Sequence, residues 1–214
     1  MLGKEALGND PGNRVLGKDA LSNDVDSTNM AVLSDSHNSF NLAFWQKQGA
    51  FCWVVKGGGV EHAFCMANEV YSTCFLLLLG GNDVQKLGGL GAAERLGDLV
   101  SELSNRDSVS LVVTGRCIPR HGRSALLEEF RVMGGAVYQV HSKHHHFEFN
   151  SFDGEGGGVN AQLYIKDRTH LNELGLRAYR RILEWVVRSI NRSDFLSECE
   201  TPREGGGGKA WWRF

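Results

Sequence analysis

Five short runs of aliphatic and β-branched residues recur along the middle of the chain, at 30–33, 51–55, 73–79, 109–114 and 136–140. Each is stopped by glycine, aspartate or serine, and runs of this length and composition predict β-strands. Mixed stretches at 60–71, 90–103 and 124–133 separate them and are long enough for helices. The last helix is the most sharply marked. Leu171, Leu174, Ala178, Ile182, Val186 and Ile190 fall at steps of three and four, while Arg177, Arg180, Arg181, Glu184 and Arg188 take the other face. That pattern predicts a helix over 171–190. Strands alternating with helices need crossover connections, so the expected class is α/β. The architecture is a three-layer α/β/α domain around a mostly parallel five-stranded sheet, covered on both sides.

The two ends read differently. LGKEALGND at 2–10 returns as LGKDALSND at 16–24, but two copies are too few for a solenoid. With few large apolar residues, 1–29 is expected to be a flexible arm. The segment 195–214 is a glycine-rich tail whose Trp211 and Trp212 either fold back or dock elsewhere. The folded domain is therefore expected over 30–194.

Composition narrows the partners. Of 214 residues 42% are hydrophobic and 22% charged, as in ordinary globular proteins, and the net charge is −2. That balance leaves no clear nucleic-acid footprint and no pull toward an anionic membrane. The longest apolar runs are strand-sized, far short of the roughly 20 residues of a membrane span. The first residues lack the apolar stretch of a secretory signal. Five scattered cysteines without a C-x-x-C pair suit a reduced, cytoplasmic compartment, with Cys52, Cys65, Cys74 and Cys117 as small buried hydrophobes. Nothing specifies an oligomeric state.

In a parallel sheet, sites gather at the carboxyl ends of the strands. The loops expected there carry Ser34-Asp35-Ser36-His37, Lys56-Gly57-Gly58-Gly59 and Gly80-Gly81-Asn82-Asp83, and Asp167-Arg168-Thr169-His170 precedes the last helix. Taken singly, each has a plain reading as a cap or a turn. Together they supply what acyl transfer by serine requires: a hydroxyl at a strand-to-helix turn, an imidazole, a carboxylate to orient it, and donors for an oxyanion. Asp167 and His170 are three apart, so their side chains share one side of a helical turn. The Ser36 N–H, a glycine N–H after the second strand and the Asn82 amide can converge as donors.

VLSDSH resembles the nucleophile block of the SGNH (GDSL-like) hydrolases, LLLLGGND their G-x-N-D block, and DRTHLN their D-x-x-H block. The order and separation also match, over about residues 30–191. This resemblance implies a flavodoxin-like sheet and an esterase without metal or cofactor, acting on a small-molecule ester. Ser36 would be the nucleophile, His170 the base, Asp167 its orienting acid, and Asn82 with Gly58 the oxyanion hole. More loosely, the compact form resembles the SGNH modules of animal retroelement-type proteins. Ser34 stands where the family carries a glycine, and its bulk is expected to tighten the turn.

Other readings compete. His144, His145 and His146, with His141 nearby, suggest zinc, but adjacent residues of an extended chain point to opposite faces and no second ligand set completes a tetrahedron. A loop at the pocket mouth is the expectation there. His37 suits either a pocket wall or a solvent-facing position. Gly57 to Gly59 lacks the spacing of a nucleotide-phosphate loop. A non-catalytic binding module of the same shape is the main alternative.

Overall fold

A computed structural model describes residues 30–119, 124–137, 141–147, 152, 159–167 and 169–191, with the backbone alone at 36, 37 and 124–126. The 1–29 arm with its repeat and the 195–214 tail with its tryptophan pair lie outside the described residues.

The sheet has five strands in the order β2-β1-β3-β4-β5, all parallel: β1 Met30–Asp35, β2 Phe51–Val55, β3 Cys74–Leu78, β4 Leu111–Gly115 and β5 His144–Phe147. Every residue of β1, β3 and β4 is buried, as expected of inner strands covered on both faces. Helices α1 Leu42–Lys47 and α5 Glu173–Asn191 cover one face, where Phe44, Trp45, Tyr179 and Leu183 meet Val32, Leu76 and Val113. Helices α2 Val60–Ala67, α3 Gly81–Ser104 and α4 Ser124–Ala136 cover the other, where Val60, Leu96, Leu99 and Phe130 meet Leu33, Phe75 and Val112. This is the three-layer α/β/α fold expected from the alternation. Among the described residues no helix is long and apolar enough to cross a membrane.

Helix α3 bends where Gly88 takes φ 73°, ψ 176°, a conformation that glycine adopts without a Cβ penalty. The bend frees the Gly89 N–H, which donates to the Glu129 carboxylate of α4. A Cβ at Gly89 would fall 2.3 Å from the Glu129 carbonyl oxygen, so the two helices meet here backbone to backbone.

Several elements differ from the sequence reading. The fifth strand is not 136–140: α4 runs on to Ala136, and Val137 is buried beneath it against Met133, while 138–140 lie outside the described residues. Val137 finishes a helix face. The strand is instead the histidine run, neither loop nor pocket mouth. The Thr114 hydroxyl sits 2.8 Å from both His144 Nε2 and His146 Nδ1, so the buried imidazoles have a polar partner. The stripe of α5 is rotated by about one residue. Leu174 is 61% exposed, and Gly175, Tyr179, Ile182, Leu183, Val186 and Val187 are buried. Helix α2 stops at Ala67, where Arg106 donates to the Ala67 carbonyl and, at 2.8 Å, to Asn68 Oδ1. Helix α3 begins at Gly81 rather than at 90, and an unforeseen 3-10 turn, Ser36–Asn41, leads into α1.

Candidate active site

Strand β1 ends at Asp35, level with Val55 of β2, and the Ser36–Asn41 turn leaves from there. With β2 on one side of β1 and β3 on the other, this is the point at which the winding of the sheet reverses, where open α/β sheets bind ligands. The backbone thus puts Ser36 at the carboxyl edge. The side chains of Ser36 and His37 lie outside the described part of the molecule.

The β2 and β3 ends are tied together across the end of β1. After Val55 the chain turns through Gly57, at φ +69°, and the Gly58 N–H donates to the Val55 carbonyl at 3.3 Å. Asn82, in the first turn of α3, donates from Nδ2 to the Gly58 carbonyl at 2.7 Å. Asp83 beside it is buried, and its Oδ2 accepts the Val60 N–H at 3.1 Å, occupying a donor at the start of α2. Gly59 must be small for this to happen, because a Cβ there would lie 2.4 Å from Asp83 Oδ1. Gly58 and Asn82 are therefore direct partners, the glycine through its carbonyl. The bond also fixes the plane of an amide whose NH₂ carries two protons.

Asp167 and His170 form a compact pair before α5. Asp167 Oδ1 accepts the N–H groups of Thr169 at 2.8 Å and His170 at 2.9 Å, and Oδ2 lies 2.5 Å from His170 Nδ1. The His170 N–H foremost, then its imidazole and the Thr169 N–H, pull the Asp167 carboxyl down to about 2. An ionised carboxylate has no proton to give, so His170 Nδ1 donates, and in the tautomer this selects Nε2 is the acceptor nitrogen. Asn172 holds the loop in place. Its Oδ1 accepts the Gly175 N–H at 3.0 Å, capping α5, and its Nδ2 donates to the carbonyls of Gln162 and Tyr164. Tyr164 pairs with Leu171 and donates its hydroxyl to the Pro119 carbonyl, in the loop after β4. Leu163 approaches so closely that a Cβ at Gly175 would fall 2.2 Å from its carbonyl oxygen.

Sequence reasoning missed a second tier of residues. Ser34 and Asn38 are fully buried, and Asn38 Nδ2 donates to Ser34 Oγ at 2.5 Å and to Tyr179 Oη of α5 at 2.8 Å. Ser34 Oγ donates in turn to the Asp35 carbonyl at 3.1 Å and, more weakly, to the Leu78 carbonyl at 3.4 Å. The hydroxyl is built into the turn. Asp35 and Arg116, both buried, line a small cavity with Leu78, Cys117, Ile118 and Tyr179 at the ends of β1, β3 and β4. No spacing rule marks the pair, because Ser34 lies in β1 and Asn38 in the turn that follows it.

A five-stranded all-parallel sheet in this order, with helices on both faces, is an α/β fold shared with solved SGNH-type hydrolases. A GDSL-like lipase from Bacteroides thetaiotaomicron matches at a TM-score of 0.63 and 12% identity, over 79% of this chain and 91% of its own. An acetylxylan esterase from Geobacillus stearothermophilus matches at 0.57 and 13%, over 75% and 94%. A candidate SGNH hydrolase from Slackia heliotrinireducens matches at 0.53 and 13%, over 74% and 97%. At such identities the likeness is one of fold. By sequence, the chain matches no protein-family model and no curated protein.

Proposed function

We propose that this protein is a serine esterase of the SGNH type, cleaving a short acyl ester through a Ser36 acyl-enzyme. The observation that carries the proposal is the Asp167–His170 pair, whose 2.5 Å contact leaves Nε2 as the proton acceptor. In the proposed reaction Ser36 Oγ attacks the ester carbonyl as His170 Nε2 takes its proton. The Ser36 N–H, the Gly58 N–H and the Asn82 amide receive the developing oxyanion, and the 3.3 Å bond from Gly58 to Val55 is long enough to be shared. Collapse of the tetrahedral intermediate expels the alcohol, which takes the proton from His170. Water then attacks the acyl-enzyme by the same route and returns the serine.

The substrate class follows from the openness of the dyad. The Asp167 and His170 side chains are 43% and 56% exposed, so among the described residues the pair stands open to solvent. A small ester of a soluble alcohol suits such a site. The proposed compartment is reducing: Cys52 and Cys74 are buried thiols that burial pushes up to about 12, whereas Cys65 is exposed and Cys117 half-buried, against the expectation of four buried hydrophobes.

A fluorophosphonate tests the nucleophile without knowledge of the substrate. Wild type should be labelled and should turn over p-nitrophenyl acetate, and Ser36→Ala should lose both. His170→Ala should lose turnover with its circular dichroism unchanged. Equal hydrolysis by wild type and Ser36→Ala would make the protein a binding module of the same shape.

A further inference from the structure

The two halves of the proposed machinery sit on elements far apart in sequence. Ser36 opens the turn after β1, and His170 precedes α5. The Asn38 side chain joins them. Asn38, two residues after Ser36 and fully buried, spends its amide protons on Ser34 Oγ at the end of β1 and on Tyr179 Oη in α5. Tyr179 lies one turn beyond Gly175, whose N–H is held by Asn172, and Asn172 also fastens the loop that carries the Asp–His pair. An unbroken chain of bonds and helix therefore runs from the nucleophile turn to the base.

We propose that Asn38 and Tyr179 are positioning residues that lock the Ser36 turn to α5 and so set the nucleophile against His170; the catalytic part of this rests on the esterase reading. The alternative is that the phenol is merely core. Its ring does pack edge-to-face on Phe152, with centroids 6.4 Å apart, so the apolar part of the side chain has a structural role of its own. The hydroxyl does not share that role. It is buried and accepts from Asn38, and burial, with the charge of Asp35, raises it well above its ordinary value and keeps it a neutral phenol. A neutral phenol accepts from Asn38 as the geometry requires. Ser34 belongs to the same device, because a glycine there would leave one Asn38 proton without its acceptor in a buried site.

Tyr179→Phe separates the two roles, keeping the ring and deleting the hydroxyl that receives Asn38. Ser34→Ala is the second variant, deleting the other acceptor from the β1 side. Hydrogen exchange is the primary readout because it needs no substrate. In either variant the amides of 36–41 should exchange about tenfold faster, with those of β3 and α3 unchanged. In Tyr179→Phe the kcat for p-nitrophenyl acetate should fall about tenfold with KM unmoved, and fluorophosphonate labelling should slow by the same factor. If wild type neither labels nor turns over, the esterase reading fails while the exchange result still decides the lock. Exchange at 36–41 equal to wild type overturns the proposal, and so does acceleration spread evenly over the domain.

Discussion

Gly59→Ala places a methyl group on the carboxylate that joins the second and third loops. A Cβ at Gly59 falls 2.4 Å and 2.6 Å from the two Asp83 oxygens and 2.8 Å from the carbon between them. The whole group is in the way. Gly59 has φ −124°, extended backbone open to any residue, so the clash is the entire cause. Asp83 is buried in the first turn of α3, and it can retreat only by releasing the Val60 N–H at 3.1 Å. Overpacking a tight site costs about 1–3 kcal/mol, and losing an N-terminal cap costs about 1 kcal/mol. The sum is about 2–4 kcal/mol, or about 5–15 °C in Tm for a domain of this size. Thermal melts followed by circular dichroism provide the assay. Gly57→Ala is the control: at φ +69° with open space around it, it costs only the roughly 1 kcal/mol of a left-handed alanine. Asp83→Ala removes the obstacle, so adding Gly59→Ala to it should change Tm little. A double mutant that sums the two losses, or a Gly59→Ala no worse than Gly57→Ala, would refute the reasoning.

Three further outcomes follow from other parts of the site. Asn82→Ala should cut kcat by about 10²–10³, roughly 2.7–4 kcal/mol, while losing its bond to Gly58 lowers Tm by only a few degrees; normal kcat with lowered Tm would make Asn82 a structural tie alone. Asp167→Asn should lower kcat by up to about 10⁴ with the fold intact, by releasing the tautomer that the carboxylate imposes; unchanged steady-state kinetics would remove Asp167 from the triad. Acid should unfold the domain through β5. Burial lowers His144 to about 3, with the neighbouring histidines adding to it, and lowers His146 to about 4, with Arg116 adding to it. Between 6.5, the ordinary value, and about 4 the unfolded chain therefore binds protons that the folded chain refuses. The stability is present above 6.5 and is lost as pH falls through that window. Urea melts at pH 7 and pH 5 measure the loss, and His146→Gln should flatten the slope; an equal slope in the variant would clear His146.

What could be read from the sequence was decided by how local the signal is. β2 was expected at 51–55 and lies at Phe51–Val55, because an apolar run bounded by turn formers admits few alternatives. β5 escaped because its residues are histidines. No hydrophobic pattern marks a strand whose burial depends on a threonine of the neighbouring strand, at 2.8 Å from two imidazoles. The α5 stripe slipped because Gly175 is buried for want of a Cβ, with the Leu163 carbonyl oxygen 2.2 Å from where one would stand, while apolar Leu174 is left outside. Counting apolar residues cannot see a position chosen for smallness. The same distinction runs through the site. Asp167 and His170 are three residues apart, and their contact could be read from spacing alone. Asn38 and Tyr179 are 141 residues apart, and only the fold brings them to 2.8 Å. Ser34 shows what that difference is worth. Beside a glycine-bearing block its extra bulk was expected to tighten the turn. In the fold its hydroxyl receives Asn38 and passes its own proton to the Asp35 carbonyl, so the departure from glycine and the asparagine four residues later explain each other.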